Sequence, residues 1–448
     1  MDIIGLFPLF YFPDIGSAWL MGITGTIHIL ASHTSVGAAL LFAFLAHKAY
    51  KEDRTDLYDY MKKYGMFLLI FSYVIGSITG PGIWYTATAA SPRGISALIH
   101  NFVWVWATEW VFFVYEVVGV FALVYFIGKI DRKTHLKLTY TFALASVGTL
   151  MLIIGIISFM MWPGTDAFYT TGSASDAFFG LNTFPHMFLR IGFMIMMAGV
   201  IGMVISSALP NRELRSELTR KMGFTSMLGG FLTMFFFMWY VSTLPESAET
   251  LLGIYLPDII DTRIGLMVLF SLYFAVAILA PRLINRPIAA AMIVVILVVG
   301  LWPGEKLRES LRKPYVAGRY IYSNQIISRD VPGKGITGEV DKLARVGFLH
   351  ASPWVPERLK TITPENKLEV GELLTKRACS NCHSLEPNGK FRPLMGKMAG
   401  WDAATIKDFM QNSLATGAIP YMPKIALPDE EFDAMAAWIA TQNQQGGL

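Results

Sequence analysis

Cys379-Ser380-Asn381-Cys382-His383 is the stretch from which the rest of this 448-residue chain is best read. Cys-x-x-Cys-His is the attachment signal of a c-type haem. Two thiols three positions apart reach the two vinyl groups of one porphyrin, and the adjacent imidazole reaches its iron. These are the only two cysteines in the chain, so it has little use for a disulfide framework. A redox dithiol or half of a zinc site would use the same residues. Zinc asks for two further Cys or His at similar spacing, and only His350 lies near in sequence. A thioredoxin-like motif asks for a strand–helix context, whereas the residues around 379 predict helix.

Around the motif, residues 366–378 lead into it as a helix, 403–415 is amphipathic, and 428–442 carries Phe432, Met435, Ala436, Trp438 and Ile439 at helical spacing. Pro428 followed by Asp429, Glu430 and Glu431 starts that last helix as the helix dipole favours. Three helices in about 80 residues is the size of a small class I cytochrome c, a domain that gains stability from its haem. The sixth iron ligand must come from downstream, where Met395, Met398, Met410 and Met422 are candidates. Met422 is preferred, because Pro420-Tyr421-Met422-Pro423 can hold a thioether rigidly between two helices. A thioether raises the reduction potential relative to a second imidazole. The plainer role is filling a core, as most of the 23 methionines do.

Upstream the composition changes. The chain is 54% hydrophobic and only 16% charged, as in membrane proteins. Eight apolar runs, near 17–47, 64–88, 98–128, 136–161, 183–208, 222–243, 263–280 and 287–303, are long enough to cross roughly 30 Å of hydrocarbon. The first is too long for a cleaved leader, lacks a basic start and is preceded by Asp14. The expected fold is therefore all-α: a polytopic bundle of about eight spans plus a small helical cytochrome c domain. Its expected parts are a membrane bundle over 1–303, a connecting segment over 304–364 with five prolines, and the cytochrome domain over 365–448.

Lysines and arginines crowd loops 48–63, 129–137, 209–221 and 281–286, and are sparse in the loops between. The positive-inside rule then sets both termini on the periplasmic side of a bacterial inner membrane, where c-haem is attached. An even number of spans delivers Cys379 there. The net charge of +4 is explained by these loops and needs no nucleic acid partner.

Ionisable groups within a bilayer are costly and mark functional candidates. The first run holds His28 and His33, the third His100, Glu109 and Glu116, and the fifth His186 and Arg190. Arg263 opens the seventh, and Glu309 and Arg312 follow the eighth. Topology puts His28, His100, His186, Arg263, Glu309 and Arg312 near the outer side, beside the c-haem. Each of these histidines can equally serve as an interior hydrogen-bonding residue. Glu109 and Glu116 are seven apart and share a helix face. They could carry protons, bind a metal or tie helices together. His28 and His33 point about 140° apart around a helix and cannot serve one iron from one face.

With these residues in view, the bundle resembles subunit I of the cytochrome bd quinol oxidases, as far as about residue 318. Thr26-Ile27-His28-Ile29 is similar to the family's first helix, whose His ligates the oxygen-binding haem, and the resemblance gives His28 that role. Ala107-Thr108-Glu109 through Glu116-Val117-Val118-Gly119 is similar to the helix with two glutamates near the high-spin haems, with a spacing one residue shorter here. Residues 182–199 resemble the helix that supplies the low-spin haem's His, which makes His186 the candidate. Glu309-Ser310-Leu311-Arg312-Lys313-Pro314-Tyr315-Val316-Ala317-Gly318 resembles the outer segment whose Glu ligates the second high-spin haem, a role that falls on Glu309. Arg263-Ile264 is similar to the start of the family's seventh helix, but Gly265 stands where the low-spin haem's Met is expected. Met267, about 200° around the helix, is the remaining candidate. The family's long quinol-binding loop is reduced here to about residues 244–262, and the cytochrome c domain is foreign to the standard subunit.

The resemblance implies two to three non-covalent haems, of b or d type, beside the one covalent haem c. It makes His28, Glu109, Glu116 and Glu309 the candidate catalytic residues. The expected cofactor-binding set is His28, His186, Met267, Glu309 and Arg263 in the bundle, with Cys379, Cys382, His383 and Met422 for haem c. The expected partners are a periplasmic cytochrome c, membrane lipid and another membrane subunit. Three functions are open: a bd-type terminal oxidase fed through cytochrome c, quinol oxidation with electrons leaving through the c-haem, and a non-catalytic haem anchor of a larger respiratory complex.

Overall fold

The computed structural model describes residues 6–445 apart from Leu9, Asp14 and Phe391; the Asp14 named above thus lies outside the described residues, as do the side chains of Arg263 and its neighbours Asp261 and Thr262. The molecule is almost wholly helical, as composition and periodicity predict. Eight long helices form the bundle: α1 (Ser17–Lys51), α2 (Thr55–Ala90), α3 (Pro92–Phe126), α4 (Arg132–Met161), α5 (Thr183–Ser207), α6 (Arg212–Val241), α7 (Glu246–Leu279) and α8 (Arg286–Arg312). Among the described residues seven of them are long and apolar enough to cross a membrane. In α7 the described apolar stretch is the shorter Ile264–Leu279, which starts directly after residues 261–263, whose side chains are not described.

Local sequence sets the ends. Asp131 accepts from the Thr134 amide at the start of α4, Asn211 from Glu213 and Leu214 at α6, and Asn285 from Ile288 at α8. Gly199 and Gly229 let α5 and α6 touch backbone to backbone, since a Cβ at either would run into the facing helix. Of two wider π-type turns, Leu69–Ile75 in α2 lends Ser72 and Tyr73 to the cavity described below, and Ile296–Leu301 in α8 sits directly before the stretch that lines it.

The sequence reading differs from the fold in two places. Residues 244–262 were expected to form a connection, but α7 already begins at Glu246. Pro245 caps it, and Glu246 and Glu249 occupy its first turn. The sequence also suggested that the bundle ends at 303, yet α8 runs to Arg312. Pro303 stands in the first turn of its last section, where proline is tolerated, and Glu305–Arg308 and Glu309–Arg312 pair one turn apart.

The half of the bundle near loops 52–54 and 208–211 is a dry core, with Phe42, Tyr60, Tyr64, Leu123 and Met222 fully or almost fully buried. The opposite end is covered by chain. Two short helices, Ala167–Thr171 and Ala174–Phe178, pack Phe168 and Phe178 against Phe159 and against Tyr320 and Ile321 of the connecting segment. That segment forms a hairpin of β1 (Tyr315–Ala317) and β2 (Ile321–Tyr322), then α9 (Val340–Ala351).

The C-terminal helices are α10 (Lys367–Cys379), α11 (Ala403–Phe409) and α12 (Asp429–Gln445). They enclose Leu374, Met395, Ile406, Met410, Phe432 and Ile439. Gly371 lets α10 cross α12 against the Ala434 carbonyl and the Trp438 side chain.

Candidate functional site

At the end of α10 the chain turns tightly, with the Cys382 and His383 amides donating to the Cys379 carbonyl at 3.1 and 3.0 Å. The two cysteines are unbridged. Burial, and secondarily the neighbouring thiol, pushes Cys379 up to about 12, and burial pushes Cys382 up to about 11. Neither is the acidified thiol of a dithiol redox motif. Among the described residues no cluster of three His, Cys, Asp or Glu is gathered to hold a metal, so the zinc alternative lacks its further ligands.

His383 Nδ1 lies 2.9 Å from the Arg392 carbonyl, which can only accept. The proton therefore sits on Nδ1, and Nε2 keeps its lone pair for a metal. Burial holds the His383 ring below its ordinary range, partly offset by that carbonyl. Arg392 adopts φ +46°, in the left-handed region, to aim its carbonyl. Met422 lies in the turn after α11, half-buried against the same core as Cys379, while Met395, Met398 and Met410 are buried within that core.

The motif is fixed to the bundle. Asn381 donates to the Ala90 carbonyl at the end of α2 at 2.8 Å and to the Ser323 carbonyl at 2.6 Å. The Gly16 backbone, at φ +72°, backs onto that of His383. The Leu385 amide donates to the Tyr11 hydroxyl, which itself bonds Glu386. Buried Arg93 at the head of α3 donates to the Gln325 carbonyl at 2.8 Å and forks onto Glu339 at 2.7 and 2.8 Å.

Beneath this lid lies a cavity of about 740 Å³, within the range of cofactor sites. Its walls run from Cys382 and Arg392 to His28, Glu109 and Glu116. His28 Nδ1 is 3.0 Å from Thr79 Oγ1, whose own proton goes to the Ile75 carbonyl at 2.8 Å. Thr79 therefore accepts from Nδ1–H, and Nε2 is again the unprotonated nitrogen. Gly80 faces the ring and leaves room beside it. Glu116 is buried, and its Oε1 has no hydrogen-bond partner; one turn pair earlier on α3, Glu109 is half-buried on the same wall.

Between motif and His28 runs a chain of charges that the sequence had not linked. Arg190 donates to Glu305 at 2.5 Å, to His33 Nε2 at 3.1 Å and to His186 Nε2 at 3.2 Å. Arg308 joins Glu305, at 2.9 Å, to Glu309, at 2.6 Å, and Arg312 binds the other Glu309 oxygen. Arg190, Glu305, Arg308, Glu309 and Arg312 all border the cavity, as do Lys306 and Lys313. The Glu-x-x-Arg-Glu-x-x-Arg pattern over 305–312 could have flagged this wall, had helix been expected there.

The remaining candidates lie elsewhere. His186 is 2% exposed and packs on the Tyr240 ring, off the cavity wall. Met267 is 48% exposed on the outside of α7 and lines no part of the cavity. His100 is exposed and bonds the Ser96 carbonyl of its own helix. Arg263 has no described side chain.

A membrane-length helical bundle with a histidine- and carboxylate-lined cavity, capped by a Cys-x-x-Cys-His domain, defines a class of cytochrome-like membrane proteins. Comparison with known proteins agrees with each half. Residues 366–439 match the family model of cytochrome c oxidase, cbb3-type, subunit III, and such a domain implies a covalent haem c. The bundle has the fold of a cytochrome bd oxidase. The bd oxidase from Geobacillus thermodenitrificans superimposes with a TM-score of 0.57 at 16% identity, over 72% of this chain and 90% of that one. No curated protein matches the chain.

Proposed function

We propose that this chain is a bd-type respiratory haem oxidoreductase whose c-haem is the electron port, receiving electrons from a periplasmic cytochrome c and feeding oxygen reduction in the bundle. One observation carries the reading: a single cavity is bounded at one end by Cys382 and at the other by His28 and Glu116. A covalently held redox centre and an oxygen-binding site thus have a common wall.

The residues fit non-covalent haem. His28 offers a free Nε2 to an iron; each oxygen of Glu309 holds an arginine but keeps a second lone pair, so its carboxylate can serve a second iron. The cations of α8, with Arg190 and Arg392, suit the carboxylates that a porphyrin carries. Bound haem would supply the redox couple and the oxygen-binding iron. Glu109 and Glu116 line the path on which protons reach that site, and a buried carboxyl with one oxygen free of hydrogen bonds, as in Glu116, can hold and release one. The cytochrome domain sits opposite the basic loops, which supports a periplasmic c-haem and a cytoplasmic dry end. A four-residue turn, 242–245, is all that separates α6 from α7, which leaves no room there for a long quinol loop. A second membrane subunit and surrounding lipid complete the expected assembly.

The test is spectroscopic and functional. Carbon monoxide should shift the reduced spectrum of the bundle haems, and reduced cytochrome c should drive oxygen consumption by the purified chain with its native partners. No carbon monoxide response would remove oxygen reduction and leave quinol oxidation or an anchor role. Fast haem reduction by a quinol analogue, with none by cytochrome c, would reverse the direction of flow.

A further inference from the structure

Among the imidazoles bonded at Nδ1, the three considered as iron ligands differ at Nε2. His28 is braced by Thr79 and His383 by the Arg392 carbonyl, and each keeps Nε2 free of any recorded bond. His186 is braced at Nδ1 by Ser158 at 3.0 Å, but its Nε2 receives the Arg190 Nε–H at 3.2 Å. A guanidinium can only donate, so the lone pair that an iron would need on His186 is already engaged. The arginine is not loosely placed: Glu305 holds it at 2.5 Å, and His33 accepts from it at 3.1 Å. The Tyr240 ring, 5.1 Å away centroid to centroid, packs against the His186 face. The opposite ligand is missing as well. Met267 is 48% exposed on the outside of α7, and Gly265 occupies the position where a thioether would be needed.

We infer that His186 is a positioning residue for Arg190 and not an iron ligand, so that the bundle carries two extractable haems, both in the cavity, and no low-spin haem of its own. The c-haem takes the place of that third centre and passes electrons, one at a time, directly to the cavity. The inference rests on the proposed haem-binding function of the cavity and departs from the ligand set that the resemblance implies. His186 and His33 bracket the guanidinium from two sides and fix where its charge meets the cavity.

The experiment is a haem count and low-temperature paramagnetic resonance on the full-length chain in detergent. The expected wild-type result is two extractable haems per covalent haem and one low-spin ferric signal, that of haem c. His186→Ala and His186→Asn should keep both extractable haems, whereas His28→Ala should lose one. The midpoint potential of the bundle haems should fall in His186→Ala, as Arg190 drifts, and recover in His186→Asn, whose amide oxygen can accept from it. Loss of one extractable haem in His186→Asn, or a second low-spin signal in the wild type, would overturn the assignment; an unmoved potential in His186→Ala would overturn the positioning role. Wild-type protein with no extractable haem would instead defeat the haem-binding reading of the cavity, and this inference with it. The resonance measurement needs no variant, so a misfolded mutant does not protect the idea.

Discussion

At the scale of single residues, the chemistry turns on which atoms already have partners. His28 has an occupied Nδ1 and an open Nε2 on the cavity wall. His28→Ala should therefore abolish the carbon monoxide response and leave the haem c absorption intact, as a difference spectrum would record. The two thiols offer a second check. With Cys382 raised to about 11, two units above an ordinary thiol, haem-free chain at pH 8 should carry about a hundredfold less thiolate there than free cysteine. Its alkylation should be slower by a similar factor and should quicken tenfold per pH unit until about pH 11, which a timed maleimide reaction measures. Cys382→Ser should leave no covalent haem on a denaturing gel stained for peroxidase activity. These residues were legible because Cys-x-x-Cys-His is local. The Arg190–Glu305 pair was not, because 115 residues separate its partners and pattern reading cannot join them.

At the scale of elements, the membrane helices were foreseeable from apolar length, and the cytochrome helices from periodicity and capping. What escaped was continuity. The bundle was expected to end at 303, yet α8 continues through Pro303-Gly304 and so delivers Glu305, Arg308, Glu309 and Arg312 to one wall. The contacts between elements are few and specific enough to test. Arg93 is 2% exposed and forks onto Glu339, so Arg93→Ala strands a carboxylate and the Gln325 carbonyl. The expected cost is about 3 kcal/mol, read as a lower thermal midpoint and earlier proteolysis within 313–364. Asn381→Ala removes one buried and one part-buried hydrogen bond at the joint, worth about 1–3 kcal/mol together. It should keep haem c attached while raising hydrogen exchange along β1, β2 and the end of α2. Unchanged exchange would mean that the domain is held by other contacts.

At the scale of the whole molecule, one end of the bundle is solid and the other is hollow, charged and lidded. This asymmetry follows from where polar residues fall along each helix: alanine, leucine and tyrosine fill the basic-loop end, and histidine, glutamate and arginine collect beneath the cytochrome domain. The sequence revealed both populations, but only the fold revealed that the second encloses one space. A chain built this way should gain oxygen uptake from reduced cytochrome c and lose it in Cys382→Ser, which removes the port and leaves the cavity in place. An oxygen electrode distinguishes the two.

The clasp of Gly16 on His383, together with Asn381 on Ala90, has a bearing on biogenesis. The ribosome makes one side of that clasp first and the other near the end, and Cys382 faces inward once they meet. With the c-haem on the proposed periplasmic side, maturation would run in a fixed order: translocation of the tail, ligation of porphyrin to the exposed thiols, and only afterwards closure. In a pulse-chase experiment peroxidase staining should precede resistance to added protease, and cells unable to ligate the porphyrin should accumulate an open, cleavable precursor.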